Sequence, residues 1–481
     1  MKRRQFLSQS ACAALSGSAL LNMLFHLRTV GSAIAASGAP IPDYKGLVCV
    51  FLKGGNDTNN VLIPTAAGDF AAYQAARGTL ALGTAPASLN TAAYTTRTGD
   101  PRTFGFHPNL AGLKSLYDAG DLALIANAGS LVQPTTKATY GTVSLPPQLF
   151  SHSDQQVQWQ SSVPDQVFST GWGGRMADLM AAANTGLGAQ ISISITLAGA
   201  NSFQVGVATS QYAVSTAGSV PFSGYGTSYA NALNADGTYK ATNQGERLKA
   251  FHSIMNLGRT NLFQGAHAGV INRAYDADRL LTAALSGITL STTFPTTTLG
   301  SQLAMIAKLI RARENLSQRR QIFFCALDGF DTHDSQTTAH GPLLTELNDA
   351  IAAFQAEMNA ASVAEKVTLF TASDFARTYT ANKSDTTAGS DHAWGGHALV
   401  AGGAVNGANI YGRVADLTIG GNDDVPTSGG ASRGRWIPTT SVDEYGATIA
   451  KWFGVTGAEM GTIFPNLGRF ATPDLGFLQA V

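Results

Sequence analysis

Short apolar runs alternate along the chain with segments in which apolar residues recur every three or four positions. GLVCVFL (46–52) and IFFCALDG (322–329) have the length and the aromatic or β-branched content of buried strands. PLLTELNDAIAAFQAEM (342–358) has helical spacing instead. Its apolar face consists of Leu343, Leu347, Ile351, Phe354 and Met358. The repeated strand–helix–strand order predicts an α/β fold, with a large, mostly parallel sheet and helices on both faces.

The same patterns predict the remaining elements. Strands are expected at 121–129, 191–197, 367–374 and 397–405. Helices are expected at 107–120, 173–183 and 441–455, and through much of 246–318. Residues 78–104 and 420–435 have the composition of surface loops. Because residues 198–245 are rich in Gly, Ser, Thr, Asn and Tyr, we expect a loop-rich cap inserted into one domain that spans 36–481.

The N-terminus has the pattern of an export signal. Arg3 and Arg4 precede Gln-Phe-Leu, a modest apolar stretch follows, and a small-residue site ends near Ala35 and Ala36. This pattern resembles the twin-arginine signal and predicts that residues 1–35 are removed during export by the twin-arginine translocase. An uncleaved membrane anchor is the alternative, but the apolar run is shorter than the roughly 20 residues that span a bilayer. The mature protein is therefore expected in the periplasm or outside the cell, without a stable membrane span.

Charge and cysteine usage narrow the possible partners and sites. Removing the leader takes away four basic and no acidic residues, which leaves a net charge of −4. Since no basic run remains, nucleic acid is not an expected partner. Cys49 and Cys325 both lie in apolar strand-like runs, so we expect buried, unpaired thiols, with a disulfide as the alternative. Neither has a CxxC partner, which argues against a cysteine metal site.

Candidate metal ligands follow the predicted strands in the second half of the chain. Asp331 and His333 stand two residues apart in GFDTHDSQ, where a loop lets both converge on one ion. Asp374 ends the strand-like run VTLFTAS. The glycine-flanked loop GSDHAWGGH (389–397) contributes two histidines and a further acid, which core packing does not explain: Asp391, His392 and His397. Carboxylates and imidazoles at strand ends predict a site for a divalent ion such as Zn, Mn or Ca.

Three further motifs allow both a functional and a structural interpretation. Asp57 in KGGNDTNN either binds metal or caps a turn. In SHSDQQ, Ser151 or Ser153 is a candidate nucleophile and His152 a possible ligand, or Ser153 caps a helix. No G-x-S-x-G motif surrounds these serines, which argues against a serine hydrolase. Arg377 in SDFART either binds an anion or pairs with the nearby aspartate that ends the strand.

Together these segments resemble a secreted family known as domain of unknown function 1501 (DUF 1501). The resemblance includes the leader, GLVCVFLKGGNDTNNVLIP, SHSDQQ, GFDTHDSQ, SDFART, GSDHAWGGH and SVDEYGATIAKWFGV. That family is similar in turn to the alkaline phosphatase and sulfatase superfamily, which has two metal ions at the strand ends and a Ser or Thr nucleophile. The resemblance implies an alkaline-phosphatase-like fold for this chain.

The resemblance also implies site positions. Asp57 matches the first metal aspartate, and Thr58 becomes another candidate nucleophile. Asp331 and His333 match a later pair, although D-x-H replaces the usual D-x-x-x-H. Phe375 follows Asp374 where the superfamily has histidine, so Asp391 and His392 would substitute, and His397 would match the final histidine.

These implications predict an exported, metal-dependent hydrolase of phosphate or sulfate esters, with a small-molecule or polymer substrate. The alternative is a non-catalytic secreted protein that retains the fold and binds a structural metal, a partner or a cell-surface polymer.

Overall fold

The computed structural model describes residues 43–88, 100–258, 261–426 and 430–479. The predicted leader at 1–35 and its cleavage site lie outside the described residues, as do parts of the predicted loops at 78–104 and 420–435. Among the described helices, none combines the length and hydropathy that crossing a membrane requires.

The described residues form twelve strands and ten α-helices. The strands are β1 (Lys45–Leu52), β2 (Leu62–Pro64), β3 (Ala87–Ser88), β4 (Phe104–Phe106), β5 (Leu122–Gly129), β6 (Ser194–Thr196), β7 (Tyr212–Ala213), β8 (Arg320–Leu327), β9 (Val367–Ser373), β10 (Gly396–Ala401), β11 (Asn409–Tyr411) and β12 (Thr440–Ser441). The helices are α1 (Ala67–Arg77), α2 (Ala111–Ala119), α3 (His152–Ser161), α4 (Trp172–Met180), α5 (Asn243–Met255), α6 (Leu262–Leu285), α7 (Thr298–Arg311), α8 (Gln336–Ala360), α9 (Val442–Phe453) and α10 (Gly457–Ile463).

The main sheet explains why distant parts of the sequence meet. Its strands follow the order β11-β5-β10-β9-β1-β8-β6-β7, and β12 also pairs with β5. Every pairing is parallel except those of β10, which runs antiparallel to β5 and β9. The beginning of β10 therefore lies at the edge where β1, β5, β8 and β9 end. A second, antiparallel sheet has the order β2-β4-β3. The predicted mostly parallel α/β sheet is confirmed.

Both faces of the main sheet are covered, as the apolar runs predict. On β1, alternate side chains such as Val48 and Val50 join a core formed with α2, α7 and α8. The intervening side chains, such as Leu47 and Phe51, join a second core formed with α4 and α9. Successive strand residues point to opposite faces, so one apolar strand contributes to both cores.

The two cysteines follow the same alternation. Cys49 belongs to one core and Cys325 to the other, and both thiols are free. Their side chains lie on opposite faces of adjacent strands, where no disulfide can form. The prediction of buried, unpaired thiols is confirmed.

Several element boundaries differ from the predicted ones for local reasons. The long helix α8 begins at Gln336, six residues before the predicted start. Helix α9 begins after Ser441, whose hydroxyl accepts from the backbone N–H of Glu444 in a capping box. Segment 198–245 is loop-rich, as expected, and supplies the edge strand β7. It also forms a small core with α5 and α6, made of Tyr225, Tyr229, Ala232, Leu233, Leu248 and Tyr275.

Candidate metal centre

A glycine turn after β1 brings three loops into contact. Gly54 and Gly55 have φ values of 111° and 83°, a region that favours glycine. A Cβ on Gly54 would come within 2.3 Å of the backbone nitrogen of Asp331, and one on Gly55 would overlap the ring of Phe375. The loops that follow β1, β8 and β9 are therefore packed backbone to backbone, which brings their polar side chains together.

Four side chains converge where these loops meet the start of α3 and the loop before β10. They are His152, Asp331, His333 and His392, and one nitrogen or oxygen from each lies within 4.8 Å of the others. The two Nε2 atoms of His333 and His392 are 2.8 Å apart. Oδ1 of Asp331 lies 3.2 Å from Nε2 of His333, 3.4 Å from that of His152 and 3.7 Å from that of His392.

The opposite nitrogen of each imidazole is bound to an acceptor. Nδ1 of His152 lies 2.6 Å from Asp374, Nδ1 of His333 lies 3.1 Å from Asp391, and Nδ1 of His392 lies 2.6 Å from the carbonyl of Phe150. Carboxylate and carbonyl oxygens only accept, so each Nδ1 carries the proton and donates it. The three Nε2 atoms therefore point away from these acceptors and toward Asp331, and Nε2 of His152 is buried without a hydrogen-bond partner.

This donor set fits a transition-metal ion. Two facing nitrogen lone pairs repel each other, and a cation between them turns that repulsion into attraction. Ligands at about 2.0–2.1 Å from a tetrahedral ion lie about 3.3 Å from one another. The four separations given above, 2.8 to 3.7 Å, fall on both sides of that value, and all pairs lie within 4.8 Å. Three imidazoles and one carboxylate suit Zn or Mn, whereas Ca prefers six to eight oxygen ligands.

Ionised neighbours and burial shift the pKa values at this site in different directions. Burial opposes ionisation of Asp331, but its hydrogen bond to Arg377 and the charge of that guanidinium hold the pKa of the carboxyl below its usual value. Arg433 does the same for the pKa of Asp391. The hydrogen bond to Asp374 raises the pKa of His152, whereas burial lowers the pKa of His392.

Asp374 and Asp391, both predicted as ligands, accept hydrogen bonds from two of the converging imidazoles in the structure. Asp374 is fully buried, and its Oδ2 accepts from His152 and, at 2.8 Å, from Gln156. Asp391 binds Nδ1 of His333 and forms an ion pair with Arg433. Carboxylates in this position orient an imidazole and increase its basicity.

Arg377 has a different role from either predicted one. It is fully buried and forms an ion pair with Asp331, not with Asp374. Its remaining N–H groups donate to His333 and to four backbone carbonyls, those of Gly54, Gly55, Phe330 and Ser390. With every donor used, Arg377 ties the loops together and has none left for an external anion.

Asp57 and His397 lie outside the converging group, which departs from the prediction. Asp57 is buried in an ion pair with Arg77 and also accepts from Gln336 and Asn59, so its oxygens are already occupied. His397 lies in β10, where its Nδ1 accepts from the backbone N–H of Asn127 at 3.1 Å.

The serines of SHSDQQ face an acid of the same motif. Ser151 is the N-cap residue of α3, and its hydroxyl donates to Asp154 at 2.6 Å. Ser153, predicted as the cap, lies in the first turn, with its hydroxyl 3.3 Å from Asp154. Between them His152, considered in the sequence only as an alternative to a nucleophile, supplies one of the four converging atoms.

Comparison with known proteins establishes the family and little else. No curated protein matches the chain. Among solved structures, the crystal structure of PsFucS1 sulfatase from Pseudoalteromonas sp. aligns with 80% of this chain and 68% of that chain, at 10% identity and a TM-score of 0.29. A superposition this loose supports no argument about activity. The family described as "Protein of unknown function (DUF1501)" matches residues 44–426, most of the chain. The protein therefore belongs to the DUF1501 family.

Proposed function

We propose that the protein binds one divalent transition-metal ion, Zn or Mn, and uses it to hydrolyse phosphate or sulfate esters outside the cytoplasm. The ligands would be Nε2 of His152, His333 and His392 and a carboxylate oxygen of Asp331. One observation carries the proposal: all three Nδ1 atoms are bound to acceptors, so the three Nε2 atoms converge with the Asp331 carboxylate, and one atom from each residue lies within 4.8 Å of the others.

Solvent access favours a catalytic over a purely structural ion. The side chains of Asp331 and His333 are 51% and 40% exposed, so an ion held between them would face solvent. Structural zinc sites are closed, whereas catalytic ones keep a position open. Such an ion polarises an ester oxygen and lowers the pKa of an attacking hydroxyl. The sequence resemblance to the phosphatase and sulfatase superfamily supports ester hydrolysis, and the leader motif supports export.

The protein's own groups would position this centre. Asp374, Asp391 and the carbonyl of Phe150 would orient the imidazoles with Nε2 toward the ion, and Arg377 fixes Asp331. Ser151 and Ser153 stay our candidates for the attacking hydroxyl. They flank His152 in the chain, and the carboxylate of Asp154 can accept their protons.

Metal analysis of the purified protein tests the ligand set. After metal removal and reloading, we expect one Zn or Mn per chain in the wild type and in a His267→Ala control, whose histidine is exposed on α6. We expect His392→Ala to lose most of the ion. Full metal content and unchanged stability in His392→Ala would rule out that residue as a ligand.

A panel of phosphate and sulfate monoesters and diesters tests catalysis. Activity that needs Zn or Mn and disappears with a chelator and in Asp331→Ala would support the hydrolase. Tight metal binding without turnover would favour the alternative, a non-catalytic protein with a structural ion. The serine hydroxyls that face Asp154 favour that alternative, since no contact directs them toward the four converging atoms.

A further inference from the structure

The hydrolase proposal requires a group that binds the oxyanion of the ester, and Arg377 has no free donor for it. Two other arginines approach the centre from residues 430–436. Arg433 is also committed, because Nη1 pairs with Asp391 and Nη2 donates to the carbonyl of Ala381 at 3.2 Å. Arg435, in contrast, keeps donors that no described residue uses.

Arg435 is held on one side and free on the other. Its Nε donates to the carbonyl of His392 at 2.9 Å, and its backbone N–H donates to Asp424. Its guanidinium carbon lies 4.7 Å from the centre of the Phe150 ring, so the planar group is stacked. Within the described residues, Nη1 and Nη2 have no hydrogen-bond or ion-pair partner. Nη1 and Nη2, the pair of donors that can bind an oxyanion in bidentate fashion, therefore both lack a partner among the described residues.

Phe150 links this arginine to the proposed metal site. Its φ of 73° is unusual for a bulky residue. In this conformation its carbonyl accepts from Nδ1 of His392 while its ring lies against Arg435. Backbone strain of this kind persists where the surrounding structure enforces it, often at functional sites. One residue therefore fixes both a metal ligand and a cationic side chain.

Charge also favours an anion at Arg435. Burial lowers the pKa of this guanidinium, and the neighbouring charge of Arg433 lowers it further. An anion beside it would offset both effects. A bound divalent ion would add positive charge at His392, whose carbonyl accepts from Arg435, and two neighbouring cationic groups attract a tetrahedral oxyanion.

We propose that Arg435 binds the non-bridging oxygens of a phosphate or sulfate group through Nη1 and Nη2, with Phe150 as the positioning residue. The proposal rests on the proposed function, because the ion and the arginine would hold the same group. It assigns to Arg435 the role that the sequence suggested for Arg377.

Calorimetric titration of inorganic phosphate, and separately of sulfate, into the zinc-loaded protein tests this assignment. We expect Arg435→Gln to weaken binding about tenfold to a hundredfold, the effect of losing charge-assisted hydrogen bonds. Arg435→Lys keeps the charge but loses the paired Nη1 and Nη2 donors. Its Kd should therefore lie between those of the wild type and of Arg435→Gln. The matched control is Arg319→Gln, which removes an equal charge at the opposite edge of the sheet, where β8 begins. It should bind like the wild type.

Phe150→Leu separates positioning from metal binding, because it keeps the carbonyl and removes the ring. We expect full zinc content and a severalfold weaker anion affinity. Loss of zinc in this variant would contradict the positioning role.

The outcomes distinguish the two proposals. Full zinc in Arg435→Gln with an unchanged Kd overturns the role of Arg435 and leaves the metal site intact. Zinc-loaded wild type that binds neither anion also overturns it. A wild type that takes up neither zinc nor manganese overturns the proposed function. The same titrations on that metal-free protein still compare Arg435→Gln with wild type, and equal affinities or no binding would overturn the anion site as well.

Discussion

Two groups of polar side chains lie at the same edge of the main sheet and differ in how their hydrogen bonds are used. Around His333 and His392, Nε2 atoms face one another and the half-exposed carboxylate of Asp331, and Arg377 donates to this group from one side. Around Asp57, the carboxylate is enclosed by the donors Arg77, Gln336 and Asn59. Both arrangements contain an arginine, but the first leaves Nε2 of His152 without a hydrogen-bond partner and Asp331 partly exposed, whereas the second is closed. Residue type alone does not distinguish a ligand from a structural acid; the donors around it do.

This difference implies that Asp57 supports the fold and not the ion. The side chains of Asp57 and Arg77 are both fully buried. Breaking a buried ion pair by removing one partner leaves an uncompensated charge, which costs about 3–5 kcal/mol. The largest effect among our predictions therefore concerns a residue that the sequence suggested as a ligand.

We predict that Asp57→Asn lowers the free energy of unfolding by about 3 kcal/mol, because Arg77 stays buried without a counter-charge. Urea unfolding of the metal-free protein measures this. The folded fraction should still bind one metal ion per chain.

Asp118→Asn is the control, since its pair with Lys114 is exposed and should contribute less than about 1 kcal/mol. A double variant, Asp57→Asn with Arg77→Met, should recover part of the lost stability. If Asp57→Asn unfolds like the wild type but loses its metal, the distinction between the two groups is incorrect.

The next effect concerns Asp374, which orients His152 through Nδ1. We predict that Asp374→Asn weakens metal binding about tenfold to a hundredfold, as loss of a carboxylate behind a histidine ligand typically does. Competition with a chromophoric chelator measures the affinity, and circular dichroism checks that the variant is folded. Asp118→Asn again serves as the control. A folded Asp374→Asn protein with wild-type metal affinity would show that His152 needs no such support.

The sequence predicted much of the fold because its signals are local. The helix at 342–358 and the strands at 46–52 and 367–374 follow from the spacing of neighbouring residues, whatever the tertiary structure. Asp331, His333 and His392 were identified from residue type and position after predicted strands, since parallel strands end at one edge.

The rest of the site depends on distant contacts. Asp57 is neutralised by an arginine 20 residues away, and His152 is oriented by an aspartate 222 residues away. No short sequence pattern indicates either of these contacts. The roles of Arg377 and Arg435 depend on which carbonyls surround each guanidinium, which only the packed loops define.

The smallest effect concerns His340, a buried histidine near the Asp57 group with an unsatisfied ring nitrogen. His340 is 3% exposed, its Nε2 lies 2.9 Å from Oδ1 of Asn56, and its Nδ1 has no partner among the described residues. Burial, followed by the charges of His107, Arg77 and Arg377, lowers its pKa to about 4 despite the negative charge of Asp57 nearby.

In the unfolded chain the ring has its ordinary pKa near 6.5. Below that pH the unfolded state binds a proton that the folded state does not bind until about pH 4, so stability falls as the pH falls through this range. We predict a loss of about 1 kcal/mol between pH 6.5 and pH 5.5 that is absent in His340→Gln. Burial raises the pKa of Asp443 to about 7 and gives the opposite trend, so only the difference between wild type and variant isolates the histidine. Urea unfolding at both pH values measures that difference. Identical pH dependence in the two proteins would mean that His340 is protonated in the folded state. The surroundings of Asp57 would then tolerate a charged imidazole, contrary to what their contacts indicate.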